Sequence, residues 1–257
     1  MISKNRLKEL AAYRQQKRCD EEGVFVVEGP KMAAEALASG CTVRTVCATA
    51  EWLSAHADVG YETCEVTQAE LERLSNMKSP HQVWMLVERR VESGEWSAES
   101  GLVLALDRIQ DPGNMGTLMR TADWFGVRRI VCSHDTVSCF NPKVVQASMG
   151  AVFRTRVDYV DLPQWLASCG REVYGASLQG EPVDSGQWTV ASDHSVLLIG
   201  NESRGISPEA MAHVTHPVLI PNLGGTAESL NAAVAAGILM YCLSSSSSSG
   251  SSSSSRQ

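Results

Sequence analysis

Leu102-Val103-Leu104-Ala105-Leu106 runs without a break into Asp107-Arg108-Ile109-Gln110-Asp111-Pro112-Gly113-Asn114-Met115-Gly116. Five consecutive apolar residues suit a strand covered by helices on both faces, as in parallel sheets. The polar, glycine-punctuated segment that follows is what the carboxyl end of such a strand carries where ligands bind. Downstream, the spacing predicts helix at 117–125, strand at 130–132, helix at 142–148, strand at 173–176, strand at 196–199, helix at 208–213, strand at 218–220 and helix at 229–241. This alternation predicts an α/β domain with a mostly parallel sheet.

Upstream lies a smaller α/β unit. Leu7, Leu10 and Ala11 recur at helical spacing within 5–18, Gly23 breaks the pattern, and 24–27 reads as a short buried strand. Helix at 31–39, strand at 43–47, a helical turn at 51–57, helix at 70–74 and strand at 83–87 follow. The polar stretch 88–101 reads as a linker, and the serine run 244–255 as a flexible tail with nothing to bury. The expected division is 1–96, 97–243 and 244–257.

The chain has 257 residues, of which 44% are apolar and 20% charged, enough for two domains with real cores. No stretch reaches the roughly 18 apolar residues of a membrane span, and residues 1–6 lack the apolar core of a signal peptide, so a cytoplasmic protein that avoids membranes is expected. Eight scattered cysteines form no CxxC pair, and the histidines no HExxH, so neither a disulfide framework nor a metal site is expected. The net charge of −7 argues against coating nucleic acid through bulk charge. Its distribution is uneven. Residues 1–18 hold Lys4, Arg6, Lys8, Arg14, Lys17 and Arg18 against Glu9 alone, a net +5 that leaves −12 on the rest. Arg6, Arg14, Lys17 and Arg18 are therefore candidate anion contacts.

Three segments follow apolar strands: 107–116, Gly200-Asn201-Glu202-Ser203-Arg204-Gly205, and Pro221-Asn222-Leu223-Gly224-Gly225-Thr226-Ala227-Glu228-Ser229-Leu230-Asn231. Singly, each has a bland reading. Gly113 and Gly116 serve a tight turn, Asn114 caps a helix, Arg120 sits on a surface, and Glu202 answers a helix dipole. With neither GxxxxGK[ST] nor GxGxxG present, a nucleotide-dependent metabolic enzyme loses its main support.

Taken together, Asn114-x-Gly116-x-x-x-Arg120-x-Ala122-x-x-Phe125-Gly126, Gly200-x-Glu202-x-x-Gly205, and Ile220-Pro221 followed by Ser229-Leu230-Asn231 resemble, in order and spacing, the three motifs of the SpoU (TrmH-type) branch of the SPOUT RNA methyltransferases. The resemblance covers about 101–243. Residues 1–90, chiefly Lys17-Arg18 and Val26-Val27-Glu28-Gly29, are similar to the substrate-binding domain of rRNA-modifying members. The loop 220–230 is one residue longer than the common pattern.

The resemblance implies methyl transfer from S-adenosylmethionine to a ribose 2′-hydroxyl of RNA by a homodimer whose catalytic domain ends in a trefoil knot. It implies Arg120 at the hydroxyl, with Asn114 orienting either Arg120 or the ribose phosphate, Glu202 holding loop and dimer contacts through an arginine, and Ser229 and Asn231 completing the site. It further implies cofactor contacts at Ser177, Leu178, Gly200, Ile220, Pro221 and Leu230. An added N-terminal domain favours 23S rRNA over tRNA. A non-catalytic RNA-binding protein on the same scaffold is the alternative, and the intact Asn114, Arg120, Glu202, Ser229 and Asn231 count against it.

Overall fold

Apolar runs that the sequence marks as strands become strands because each pairs its backbone while its side chains leave water on one or both faces. In the computed structural model, residues 2–56, 60–89, 101–183 and 194–245 are described. The expected linker falls largely on 90–100 and the serine tail largely on 246–257, outside the described residues. In chain order the elements are α1 (Lys4–Ala11), α2 (Gln16–Glu22), β1 (Val24–Glu28), α3 (Pro30–Ala38), β2 (Val43–Ala48), α4 (Ala50–Ala55), β3 (Glu62–Glu65), α5 (Gln68–Leu74) and β4 (Val83–Glu88). They continue with β5 (Val103–Leu106), α6 (Pro112–Trp124), β6 (Arg129–Ser133), α7 (Pro142–Ser148), β7 (Arg156–Val160), α8 (Leu162–Ser168), β8 (Glu172–Pro182), β9 (Ser195–Ile199), α9 (Pro208–Met211), β10 (His216–Leu219) and α10 (Ala232–Ser245).

The chain divides into two compact units, one of residues 1–94 and 138–154, the other of 95–137 and 155–257. The division is not the continuous one the sequence suggests. Helix α7, expected within 97–243, packs on β1, and Val145 and Phe153 join Phe25, Val27 and Met85 in one core. The first unit holds a four-stranded sheet in the order β1-β4-β2-β3, antiparallel except for β2 with β3. The single helix suggested by 5–18 breaks into α1, a 3-10 turn at Ala12–Arg14, and α2, which ends on the left-handed Gly23. Strand β3 escapes the periodicity because Glu62, Thr63 and Glu65 are exposed, as expected of an edge strand.

The second unit is a six-stranded, wholly parallel sheet in the order β10-β8-β9-β5-β6-β7. Its centre is the quoted stretch. Val103 and Ala105 pack with Leu162 and Leu166 of α8, while Leu104 and Leu106 are fully buried on the opposite face. Burying both faces of a strand demands the uninterrupted apolar run seen there. Helix α6 buries Met115, Leu118, Met119 and Ala122, and α10 packs against α6 and β9. Strand β7 and helix α8 carry weaker signals, since β7 is only half-buried along its length and Pro163 interrupts the sequence of α8. That proline sits in the first turn, where its missing N–H costs nothing.

Candidate active site

All three polar segments belong to the second unit and leave the carboxyl ends of the parallel strands β5, β9 and β10, the first two adjacent and the third beyond β8. The first is fixed by its start. The buried carboxylate of Asp107 accepts the Ser207 N–H at 2.5 Å, and the Arg108 guanidinium lies 3.3 Å from its other oxygen. That cation and the Ser207 N–H together offset the cost of desolvating the carboxylate. Arg108 adopts φ 58°, a left-handed conformation rare for a side chain of this size. There its N–H reaches Ser133 Oγ at 2.8 Å and its carbonyl accepts from Asn201 Nδ2 at 2.9 Å.

Helix α6 begins five residues before the expected 117. Asp111 is its cap, accepting the Asn114 N–H at 2.8 Å, and Pro112 occupies the first turn. Asn114 is therefore not the cap, and its side chain is free to act elsewhere. It donates from Nδ2 to Glu202 Oε1 and accepts at Oδ1 from Asn231 Nδ2 at 2.9 Å. Asn231 in turn caps α10, its Oδ1 accepting from Ala233 at 3.0 Å and Val234 at 3.3 Å. Because capping commits Oδ1 of Asn231 to the helix, its Nδ2 must face Asn114, and Nδ2 of Asn114 must then face the carboxylate. The orientation of the whole chain Asn231–Asn114–Glu202 follows from one helix cap.

Glu202 rides on a closed turn. Asn201 and Gly205 exchange backbone hydrogen bonds at 3.0 and 2.8 Å, and Asn201 Oδ1 accepts the Ser203 and Arg204 amides at 3.0 and 3.1 Å. A Cβ on Gly200 would overlap the backbone of Gly205 and Ile206, so this glycine is required by the turn itself. Within this chain the side-chain partner of Glu202 among the described residues is Asn114.

Arg120 lies further along α6, exposed and without an ion pair among the described residues, so its charge is available to a ligand. Ser229 is exposed and makes no hydrogen bond among the described residues. Of the residues expected at the cofactor, Ser177 and Leu178 do not lie at a strand end. Strand β8 continues to Pro182, and 176–180 form a bulge between Gly175, paired with Pro217, and Glu181, paired with Val218. Leu178 on this bulge, and Leu223 and Leu230 in the last loop, are large apolar side chains left 70%, 95% and 48% exposed. Residues 220–231 contain no lysine or arginine and one carboxylate, Glu228. Apolar side chains, free backbone groups and a carboxylate suit an adenosine carrying a cationic tail and do not suit a polyphosphate.

In the first unit, the proposed anion contacts differ in availability. Arg6 is bound to Glu9 at 2.8 Å and Glu62 at 2.5 Å, and Arg18 to Glu22 at 2.5 Å with its guanidinium over the Tyr13 ring. Lys17, 86% exposed, has Glu21 at 4.0 Å, and Arg14 is exposed with no ion pair among the described residues. Asp107, Asn201 and Asn222 lie outside the residues that the sequence marks as functional. The turn chemistry of Asn201 and Asn222, each lying shortly before glycine, is the signal that could have found them.

Residues 101–241 match the SpoU rRNA methylase family, and residues 4–84 match the MRM3-like substrate-binding domain. The chain belongs to the SpoU rRNA methylase family. Among relatives of this SpoU protein, the 23S rRNA (guanosine(2553)-2′-O)-methyltransferase RlmP of Bacillus subtilis is 32% identical over 85% of this chain and 88% of its own length. A solved structure assigned to the TrmH family of RNA methyltransferases, from Porphyromonas gingivalis, is 35% identical and superposes with a TM-score of 0.84 over 95% of this chain and 98% of its own. An AdoMet-bound rRNA methyltransferase from Sinorhizobium meliloti is 29% identical, with a TM-score of 0.81 over 95% of both chains.

Proposed function

We propose that this SpoU methylase transfers a methyl group from S-adenosylmethionine to a ribose 2′-hydroxyl of large-subunit ribosomal RNA. The observation that carries the reading is the hydrogen-bonded chain Asn231–Asn114–Glu202, which ties all three segments together at the start of the helix that carries Arg120. S-adenosylmethionine, held by the backbone of 220–231, the Gly200 turn and the β8 bulge, supplies an electrophilic methyl carbon. A 2′-hydroxyl is a poor nucleophile until its developing negative charge is stabilised. Guanidinium stays protonated at any working pH, so Arg120 acts as an electrostatic stabiliser of the forming alkoxide and not as the base, and the hydroxyl proton leaves to solvent water as the oxygen takes the methyl group. Thermal-shift titration tests the ligand class. S-adenosylmethionine is expected to raise the melting temperature where NAD and ATP do not; stabilisation by ATP alone would support the metabolic reading instead.

The protein works in the cytoplasm as a homodimer with a knotted C-terminal region, on this reading. Support for the dimer comes from α6 and α10, which leave Trp124 84%, Tyr241 62%, Val234 51% and Ile238 36% exposed. The small residues of α10 pack inward instead: Ala232, Ala233 and Ala236 are buried, and Gly237 faces Thr121 of α6. Light scattering at micromolar concentration is expected to give twice the monomer mass, and Tyr241→Glu to shift it to the monomer. An unshifted mass would move the interface off this face.

RNA is held in part by the first unit through Arg14 and Lys17, the two candidates free or nearly free of acidic partners. Replacing both by alanine is expected to lower the slope of log affinity against log salt by about 1 to 2, roughly one per lost phosphate contact, with cofactor affinity unchanged. An unchanged slope would place the RNA contacts elsewhere.

A further inference from the structure

The loop 222–231 is exposed at every position, up to the asparagine that caps α10, so no core packing fixes its shape. Its order comes from one side chain. Asn222 Oδ1 accepts the backbone N–H of Gly224 at 3.0 Å and of Gly225 at 2.7 Å. Its Nδ2 donates to the carbonyls of Gly225 at 3.1 Å and Ala227 at 3.3 Å. An amide has two acceptor sites and two donor protons, and all four are used inside six residues. Gly224 sits at φ +105°, a conformation a side chain would strain, which lets the chain curl around the amide while Leu223 is turned outward.

We infer that Asn222 is a positioning residue for the cofactor: it gathers the exposed loop into one conformation so that the backbone of 223–228 is already arranged before S-adenosylmethionine arrives. Asn222 touches neither reacting atom. Its counterpart at the far end is Asn231, which holds the loop's exit to α10 and Asn114. Two asparagines thus clamp the loop at entry and exit, and the residues between them contribute backbone. A ligand bound by a preorganised backbone avoids the cost of ordering that backbone on binding. Losing Asn222 therefore weakens cofactor binding and leaves the chemical step to Arg120.

This inference rests on the methyl-transfer reading, and the test separates the two. S-adenosylmethionine binding is first measured by calorimetry on the wild-type chain; no binding there overturns the methyl-transfer reading and this inference with it. Asn222→Ala is then expected to raise KM and Kd for S-adenosylmethionine at least tenfold, while kcat falls less than threefold and KM for RNA is unchanged. Asn222→Asp keeps both acceptor contacts and loses both donors, and is expected to fall between the wild type and Asn222→Ala. That graded order is what a general packing defect would not produce. Should the alanine variant not fold, the aspartate variant alone decides: a Kd equal to the wild type's, or a loss confined to kcat, overturns the assignment.

Discussion

Replacing Arg120 by lysine is expected to lower kcat about 30- to 1,000-fold, equivalent to about 2 to 4 kcal/mol, while S-adenosylmethionine binding is retained. Lysine keeps the charge but presents a compact ammonium in place of a planar fork, so it cannot hold a forming alkoxide and a neighbouring group together. Arg120 is exposed and unpaired among the described residues, so the substitution breaks no ion pair and uncovers no core. Melting temperature is therefore expected to be unchanged, which separates lost chemistry from lost fold. Single-turnover rates at saturating cofactor provide the check. Wild-type turnover in the lysine variant would remove Arg120 from the chemical step.

Asn114→Asp should produce the second large loss, with a pH signature. The wild-type amide donates to Glu202 and accepts from Asn231. Aspartate keeps the acceptor and loses the donor, placing two carboxylates side by side where there was a charge-assisted hydrogen bond. Such a bond contributes about 1.5 to 3 kcal/mol, so activity at pH 8 is expected to fall roughly ten- to hundredfold. Two carboxylates in contact cannot both ionise cheaply, so the pair holds a proton above the usual carboxylate range. Lowering the pH then restores a donor between them, and activity relative to wild type is expected to recover as the pH falls. Helix α10 stays capped, since Asn231 Oδ1 is untouched by the change. A variant with a constant fraction of wild-type activity from pH 6 to 9 would show that the Asn114–Glu202 contact does not serve the reaction.

The sequence exposes those parts of this chain whose reasons are local or periodic. Residues 102–106 read as a doubly buried strand from their unbroken apolar run, and the segment after it as a candidate ligand site from its place at a strand's carboxyl end. Strand β3 and strand β7 stayed hidden because edge and half-buried strands need no continuous apolar run. The beginning of α6 was masked by Pro112 and Gly113, which read as breakers but occupy a first turn where they are tolerated. That misplacement made Asn114 look like a cap and concealed that Asp111 frees its side chain. The cations of the first segment could be counted but not sorted, because Glu62, the partner of Arg6, lies more than fifty residues away and meets it only through the β2–β3 pairing. Likewise, the contact between Asn114 and Asn231 spans 117 residues and exists only once the parallel sheet has brought three strand ends together.

The most direct measurement compares 2′-O-methyl sites across all cellular RNA in a strain lacking this protein with those of its parent, and again after complementation with the wild-type chain or Arg120→Lys. The account predicts that a methylated ribose in large-subunit ribosomal RNA loses its mark on deletion, regains it with the wild-type chain, and does not regain it with the lysine variant. An unchanged methylation map in both ribosomal and transfer RNA would contradict it.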